Sequence, residues 1–363
     1  MSVEQPTPQP GPSSPVRLAE LTTLRLGGPA DELVRAETEE QLVAAVRDGD
    51  ERGVPTLVLG GGSNLVVADA GYAGRVVHVV TTGIVADHDE TDGPTCGGVS
   101  VTVAAGESWD GLVATAVERG WVGLEALSGI PGSVGATPVQ NVGAYGQEVS
   151  QTVARVRTWD RVEARVASFA GADCGFAYRH SRFKAEPTRY VVLDVTFQLR
   201  QGDLGSPVTY AELSRTLRVE PGERAPLAAV REAVLGLRRG KGMVLDAGDH
   251  DTWSAGSFFT NPVISADRVP DGAPTWPVQG DPDGRVKTNA AWLIQHAGFE
   301  RGHVVEGGAG RASVSTKHTL ALTNRGDAAT EELLALAREV RDGVEAAYGI
   351  RLVNEPVLVG CAL

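Results

Sequence analysis

Two glycine-dense stretches constrain this chain more than any other feature. The first, Gly60-Gly61-Gly62-Ser63-Asn64, follows directly on a short apolar run at 55–59. Consecutive amides with no Cβ in the way form a concave nest that suits a pyrophosphate, and Ser63 and Asn64 add side-chain hydrogen bonds. The usual nucleotide fingerprints fail here. A dinucleotide motif needs glycine where Leu65 stands, and no Gly-Lys-Ser/Thr follows. Taken alone, the cluster reads equally well as a tight turn between strands. The second stretch, residues 128–146, contains Gly129, Ile130, Gly132, Ser133, Gly135, Ala136, Gln140, Asn141, Gly143 and Tyr145. Its interior glycines and prolines exclude a long regular helix or strand. Polar amides mixed with small residues can wrap phosphates and a planar ring. A free loop is the weaker reading, because Ile130, Val134, Val139 and Val142 want burial.

Glycine supplies 45 of 363 residues, about 12% against a usual share of about 7%. The length predicts two to three domains. A compact βαβ unit is expected over 33–59, with Thr38 and Gln41 as a capping box for a helix ending at Gly53. A strand is expected from Val99, and Ser108 caps a helix over 109–119. Strands at 153–159, 165–169 and 190–199 suggest a mixed or antiparallel sheet. Helices are expected at 223–238 and 331–348, and a last strand at 351–359.

The net charge of −13 carries no basic run, so duplex nucleic acid or an anionic membrane surface would be repelled. Cys96, Cys174 and Cys361 have no ligand spacing, which argues against disulfides and a metal site and for a reducing compartment. Residues 1–17, rich in Pro, Gln and Ser, read as a disordered tail on a cytoplasmic protein. The acidic segments 87–92 and 246–251 read as solvated loops.

Five ordered segments carry a resemblance. They are Gly60–Leu65, Gly129–Gly146, Tyr178-Arg179-His180-Ser181-Arg182-Phe183-Lys184, Ala255-Gly256-Ser257-Phe258-Phe259-Thr260-Asn261-Pro262, and Asn354-Glu355-Pro356. From about residue 20 to the end the chain resembles the UDP-N-acetylenolpyruvoylglucosamine reductase family. The resemblance implies an α+β (mixed α/β) chain, with a two-subdomain FAD-binding fold of the vanillyl-alcohol-oxidase/PCMH type and a C-terminal α/β substrate-binding domain. The expected divisions are 18–80 and 81–222 for FAD, the latter joined by the C-terminal strand 350–363, and 223–349 for substrate. FAD is then non-covalent and held by the two glycine stretches. NADPH is the co-substrate, UDP-N-acetylglucosamine enolpyruvate the substrate, and a monomer the expected state. Thr209-Tyr210 resembles the subgroup in which a tyrosine on a mobile loop covers the substrate.

Beside that resemblance the remaining residues have their own chemistry. A guanidinium at Arg179 can clamp a carboxylate and stabilise enolate charge, although arginine is abundant in this chain. Ser257 is a small hydroxyl on a bend, a proton donor by resemblance and a turn residue without it. Glu355, in an apolar strand, calls for a cationic partner, and Arg179 is the candidate. Only four lysines occur, which points Lys241 and Lys287 toward a diphosphate, with Asn261 alongside. Tyr210, Trp276 and His296 are candidates for a uridine or sugar face, each equally a packed ring. Three other readings stay open: another flavin oxidase or dehydrogenase of this fold, a non-catalytic sugar-nucleotide sensor, and a nicotinamide-only dehydrogenase.

Overall fold

Thr38 opens the first helix as expected, since its side chain accepts from Gln41 N and Glu39–Glu51 follows. The Gln41 side chain accepts from Glu37 N at 2.8 Å, one residue before the cap, in place of the Thr38 N–H that a capping box would use. This computed structural model describes residues 16–88, 98–278 and 281–363. The expectations for the N-terminal tail and for most of the acidic segment 87–92 therefore lie outside the described residues, as does Cys96. The first helix crosses between Ala30–Ala36 and Thr56–Leu59, and both strands pair in parallel with a central Tyr72–Val79.

The second sheet is antiparallel throughout. Its order is Arg165–Ala170, Val153–Asp160, Tyr190–Gln201, Gly98–Ala104 and Ile84–His88, with Trp121–Val122 added at Tyr190–Gln201. Val99, Val101 and Val103 alternate inward and are fully buried, as period-two patterning requires. They share a core with Trp109, Leu112 and Val113 of the helix Trp109–Glu118, which Ser108 caps through Gly111 N. Trp109 is buried without an orphaned donor, because its Nε1 reaches Leu127 O at 3.1 Å.

The third unit packs the helices Ala290–His296 and Thr330–Tyr348 over the strand pair Ala312–Val314 and Leu322–Asn324. A small sheet of Val263–Ile264, Val286–Thr288 and Thr275–Pro277 lies beside it. Leu24, Leu26 and Val66 join this C-terminal core, and Asn324 Nδ2 donates to Leu24 O at 3.0 Å. Chain that precedes the first strand thus seals the third unit against the first. Among the described residues no helix is long and apolar enough to cross a membrane.

Three expectations need correction. The acidic segment 246–251 is not solvated throughout, since Asp251 is buried and accepts from Ser315, Thr316 and Arg325. The helix read at 223–238 runs Leu227–Gly240, because Pro226 stands at its N-cap and disfavours helical backbone just before it. The last strand is Val357–Val359, not 351–359, and it pairs in parallel with Leu65–Val67 of the first subdomain rather than with the second. Pro356 has no N–H to continue a ladder, so pairing restarts where Val357 N donates to Asn64 O at 2.9 Å. That bond sets the residue just before Pro356, Glu355, beside the first glycine stretch.

Candidate active site

The two glycine stretches lie backbone against backbone. A Cβ at Gly61 would stand 2.6 Å from Gly132 Cα, and one at Gly60 would stand 2.4 Å from Ser133 Oγ. Gly62 adopts φ +59° with Leu21 O 1.9 Å from where its Cβ would be. Glycine is therefore a packing requirement at these positions. The N–H groups of Gly60, Gly61, Gly62, Ser63 and Asn64 meet no acceptor among the described residues, and neither do those of Ile130, Gly132 and Ser133. Gly135 and Ala136 differ, since their amides close the local turn on Ala105 O and Ser133 O. Gly129 N is likewise used, by Asp110 Oδ1 at 2.6 Å.

A cradle of free amides is one mark of a phosphate site. A second lies beside it. Arg238 is 9% exposed, donates from Nη2 to Met243 O at 2.8 Å, and leaves its Nε without a partner. That Nε sits 3.6 Å from where a Cβ of Gly129 would be. Burial pulls the guanidinium down to about 10, opposed by the Tyr145 hydroxyl and Asp110. Burial likewise raises the Tyr145 hydroxyl to about 12. A buried cation with a free N–H at the edge of an amide cradle fits an anionic, flat cofactor such as FAD.

Two of the catalytic candidates, Arg179 and Glu355, meet beside this cradle. Arg179 occupies a tight turn closed by Ala177 and His180, with φ +52°, a conformation rare for a bulky residue. Its Nη2 donates to Gly143 O at 3.0 Å, and Lys184 Nζ holds its carbonyl at 3.0 Å. Its Nε lies 2.9 Å from Glu355 Oε1, close enough for an ion pair but out of line for a hydrogen bond. The carboxylate therefore keeps bonding capacity. Burial pushes the Glu355 carboxyl up, against the opposing pull of Arg179 and Lys184. Gln140 Nε2 donates to Glu355 Oε1 at 3.3 Å, and Asn64 Nδ2 donates to Gln140 Oε1 at 3.0 Å. Asn64 and Gln140 thus tie both glycine stretches to the carboxylate.

Ser257 arrives through the backbone. Glu355 N donates to Phe258 O at 2.8 Å and Phe259 bridges Asn354 in antiparallel sense, which brings the segment carrying Ser257 alongside Glu355-Pro356. Its hydroxyl makes no hydrogen bond among the described residues, and Gly256, at φ +72°, faces open space. Asn261 N donates to the Tyr178 hydroxyl at 3.4 Å, and Asn261 Oδ1 accepts from Ala290 N. Lys287 Nζ stands 4.4 Å over the Tyr178 ring. Burial lowers Lys287, as does the neighbouring Arg179, with Glu148 pulling the other way. Trp276 pairs with Lys287 in the sheet and is 40% exposed.

A second group gathers around Tyr145. Tyr210 meets it edge-on at 5.4 Å, and Lys241 Nζ lies 5.5 Å over its ring and 2.6 Å from Glu212 Oε2. Lys241 also lines a cavity of about 790 Å³ shared with Arg301 and Lys317. His296 departs from expectation. Its ring stacks on Trp292 at 3.8 Å, its Nδ1 lies 2.8 Å from Trp292 O, and it touches no other candidate. At helical i,i+4 spacing it pairs with its own helix.

Sequence reasoning missed Tyr178 and Arg238 as site-shaping residues. Arg238 had a readable signal: it follows Val230 and Val234 at four-residue spacing on the buried face of its helix. A cation in a hydrophobic slot is the anomaly that marks it.

Comparison with known proteins identifies the family. Residues 30–166 match the family described as "FAD binding domain", and residues 248–359 match "UDP-N-acetylenolpyruvoylglucosamine reductase, C-terminal domain". The chain is 59% identical to the UDP-N-acetylenolpyruvoylglucosamine reductase of Cutibacterium acnes, covering 96% of this chain and 90% of that protein. It is 55% identical to the Streptomyces avermitilis protein of the same name, covering 95% and 94%. Among solved structures, the UDP-N-acetylenolpyruvylglucosamine reductase of Thermus caldophilus superposes with a TM-score of 0.61 at 24% identity, covering 95% and 97%.

Proposed function

The chain belongs to the UDP-N-acetylenolpyruvoylglucosamine reductase family, and from that premise we propose that it reduces UDP-N-acetylglucosamine enolpyruvate to UDP-N-acetylmuramate with FAD and NADPH. The reaction is an oxidoreduction in peptidoglycan synthesis. We propose a cytoplasmic monomer whose product serves cell-wall growth, and with it cell shape and division. FAD, when bound, supplies the redox chemistry by taking hydride from NADPH and giving it to the methylene carbon of the enolpyruvyl group.

The protein supplies position and charge. The free amides of Gly60–Asn64, with Ile130, Gly132 and Ser133, would hold the pyrophosphate of FAD, and Arg238 and Tyr145 would help to hold the rest of the cofactor. Arg179 faces the substrate carboxylate and stabilises the negative charge that builds there as hydride arrives. Glu355 holds that guanidinium in place and, with a raised pKa, can share a proton with the developing enolate. The Ser257 hydroxyl then delivers a proton to the carbon next to the carboxylate, completing addition of two hydrogens across the double bond. The positive field of Arg179, Lys184 and Lys287 favours the serine oxygen once it has lost that proton. Asn261, Lys287, Trp276, Tyr210 and Lys241 bind the nucleotide sugar. His296 is left out of this set.

The observation that carries the reading is the Arg179–Glu355 pair beside an amide cradle, with the segment that carries Ser257 bonded through its backbone to that of Glu355. The test is spectroscopic. Purified protein is expected to be yellow, to bleach with NADPH without oxygen, and to regain colour on adding the enolpyruvyl nucleotide. Colourless protein, or reoxidation by oxygen alone, sinks it.

A further inference from the structure

Glu125 is 1% exposed, yet it pairs with no cation among the described residues. Its carboxylate is met by neutral donors from three separate segments. Oε2 accepts from Gly123 N at 2.7 Å, and Oε1 accepts from Gln147 Nε2 at 2.9 Å and from Ser206 N at 2.6 Å. Gln147 Oε1 in turn accepts from Ala126 N at 2.8 Å. A buried carboxylate of this kind is stable only while every donor stays in place, so it fixes the relative position of whatever supplies them.

Two of those segments lead directly to the cleft. Gln147 follows Tyr145-Gly146, and Ser206 precedes Thr209-Tyr210 by a few residues. Between them the fit is close. A Cβ at Gly205 would come within 3.0 Å of Glu125 Oε1, and one at Gly146 within 2.9 Å of Thr209 Oγ1. The cavity under this junction holds about 10 Å³, room for no more than a water molecule. The opposite side of the same stem is also held: Gly205 N donates to Ala225 O and Val208 N to Glu223 O. Past Val208 the hold weakens. Tyr210 is 42% exposed, caps its helix with no side-chain bond, and meets Tyr145 only through a ring edge.

We propose that Glu125 is a positioning residue for the substrate-covering tyrosine: its carboxylate clamps the stem of the 204–210 segment to the Tyr145 segment, so that Tyr210 moves as a tip on a fixed base. Glu125 touches neither substrate nor cofactor. The proposal rests on the reading of Tyr210 as a substrate contact.

The test uses full-length, FAD-loaded protein carrying Glu125→Gln, which keeps the size but turns one acceptor into a donor that faces donors. Gly205→Ala, which presses a methyl against the same oxygen, serves if the first variant does not fold. The expected result is flavin reduction by NADPH within about twofold of the parent, with KM for the enolpyruvyl nucleotide raised about tenfold and kcat lowered less than threefold. Amide hydrogen exchange at Ser206 and Val208 is expected to quicken in both variants. Tyr210→Phe is run alongside, and the Glu125→Gln/Tyr210→Phe double variant is expected to be no worse than the poorer single variant. Unchanged KM in Glu125→Gln and Gly205→Ala, with a raised KM in Tyr210→Phe, overturns the clamp and leaves the tyrosine reading intact. Unchanged KM in all three, despite faster exchange at Ser206 and Val208, overturns the tyrosine reading and the clamp with it.

Discussion

Arg179 and Glu355 meet at 2.9 Å, although one sits on a turn of the second subdomain and the other beside Pro356 near the C-terminus. Neither side chain is placed by its own secondary structure. Arg179 is held by the carbonyls of the second glycine stretch, and Glu355 by Val357 pairing with Asn64 and by Phe258. Both arms of the pair therefore depend on the glycine stretches being packed as they are. Assembly of the cofactor cradle and assembly of the charged pair are one event.

Ser257→Ala is expected to separate the two half-reactions. The hydroxyl has no structural hydrogen bond to lose, so folding and flavin reduction by NADPH stay within about threefold of the parent. Flavin reoxidation by the enolpyruvyl nucleotide falls by about 10²–10⁴, the range for a lost general acid. Stopped-flow absorbance checks both rates, and equal loss in each defeats the assignment.

Arg179→Met leaves the Glu355 carboxyl buried without its cation. Breaking a fully buried pair costs about 3–5 kcal/mol. Arg179 keeps 22% exposure, so a loss nearer 2 kcal/mol is expected in urea unfolding. The Glu355 carboxyl rises further, since only Lys184 remains to oppose burial. Arg179→Lys is not expected to restore activity, because an ammonium cannot reproduce the planar fork.

Gly61→Ala drives a methyl into Gly132 backbone at 2.6 Å, and no flexible side chain is there to yield. The two stretches must part, opening the amide cradle. FAD affinity is expected to fall about tenfold or more, roughly 1.4 kcal/mol. The flavin absorbance retained after gel filtration reads this, and full retention counts against the cradle.

His318 gives a pH test of stability. Burial, helped by Lys241 and Arg301 and opposed by Glu212, lowers it from 6.5 to about 4. Between these values the unfolded chain binds the proton and the folded chain does not, so stability is full above pH 6.5 and drains away toward pH 4. The loss is at most about 3 kcal/mol. His318→Gln is expected to flatten that part of the curve, measured by urea unfolding at pH 7 and pH 5. An unchanged slope refutes it.

Local signals in the chain were enough for local structure. Thr38 and Ser108 cap the helices predicted for them, and Val99, Val101 and Val103 turn inward as their alternation demands. The two glycine stretches together pointed to an amide-lined ligand site, although the first by itself reads equally well as a tight turn between strands. Where the local rule was overridden, a proline did it: Pro226 delayed a helix and Pro356 shortened a strand.

Residue identity by itself determined the elements, the chemistry on offer and the family. Tertiary structure alone decided which groups meet. It set Glu355 against Arg179, stacked His296 on Trp292, buried Arg238 with a free N–H, and gave Glu125 its three neutral partners. Capping, alternation and turn formation act over a few neighbouring residues and so can be read along the chain. Burial and ion pairing depend on distances between segments far apart in sequence, and those exist only once the units have packed.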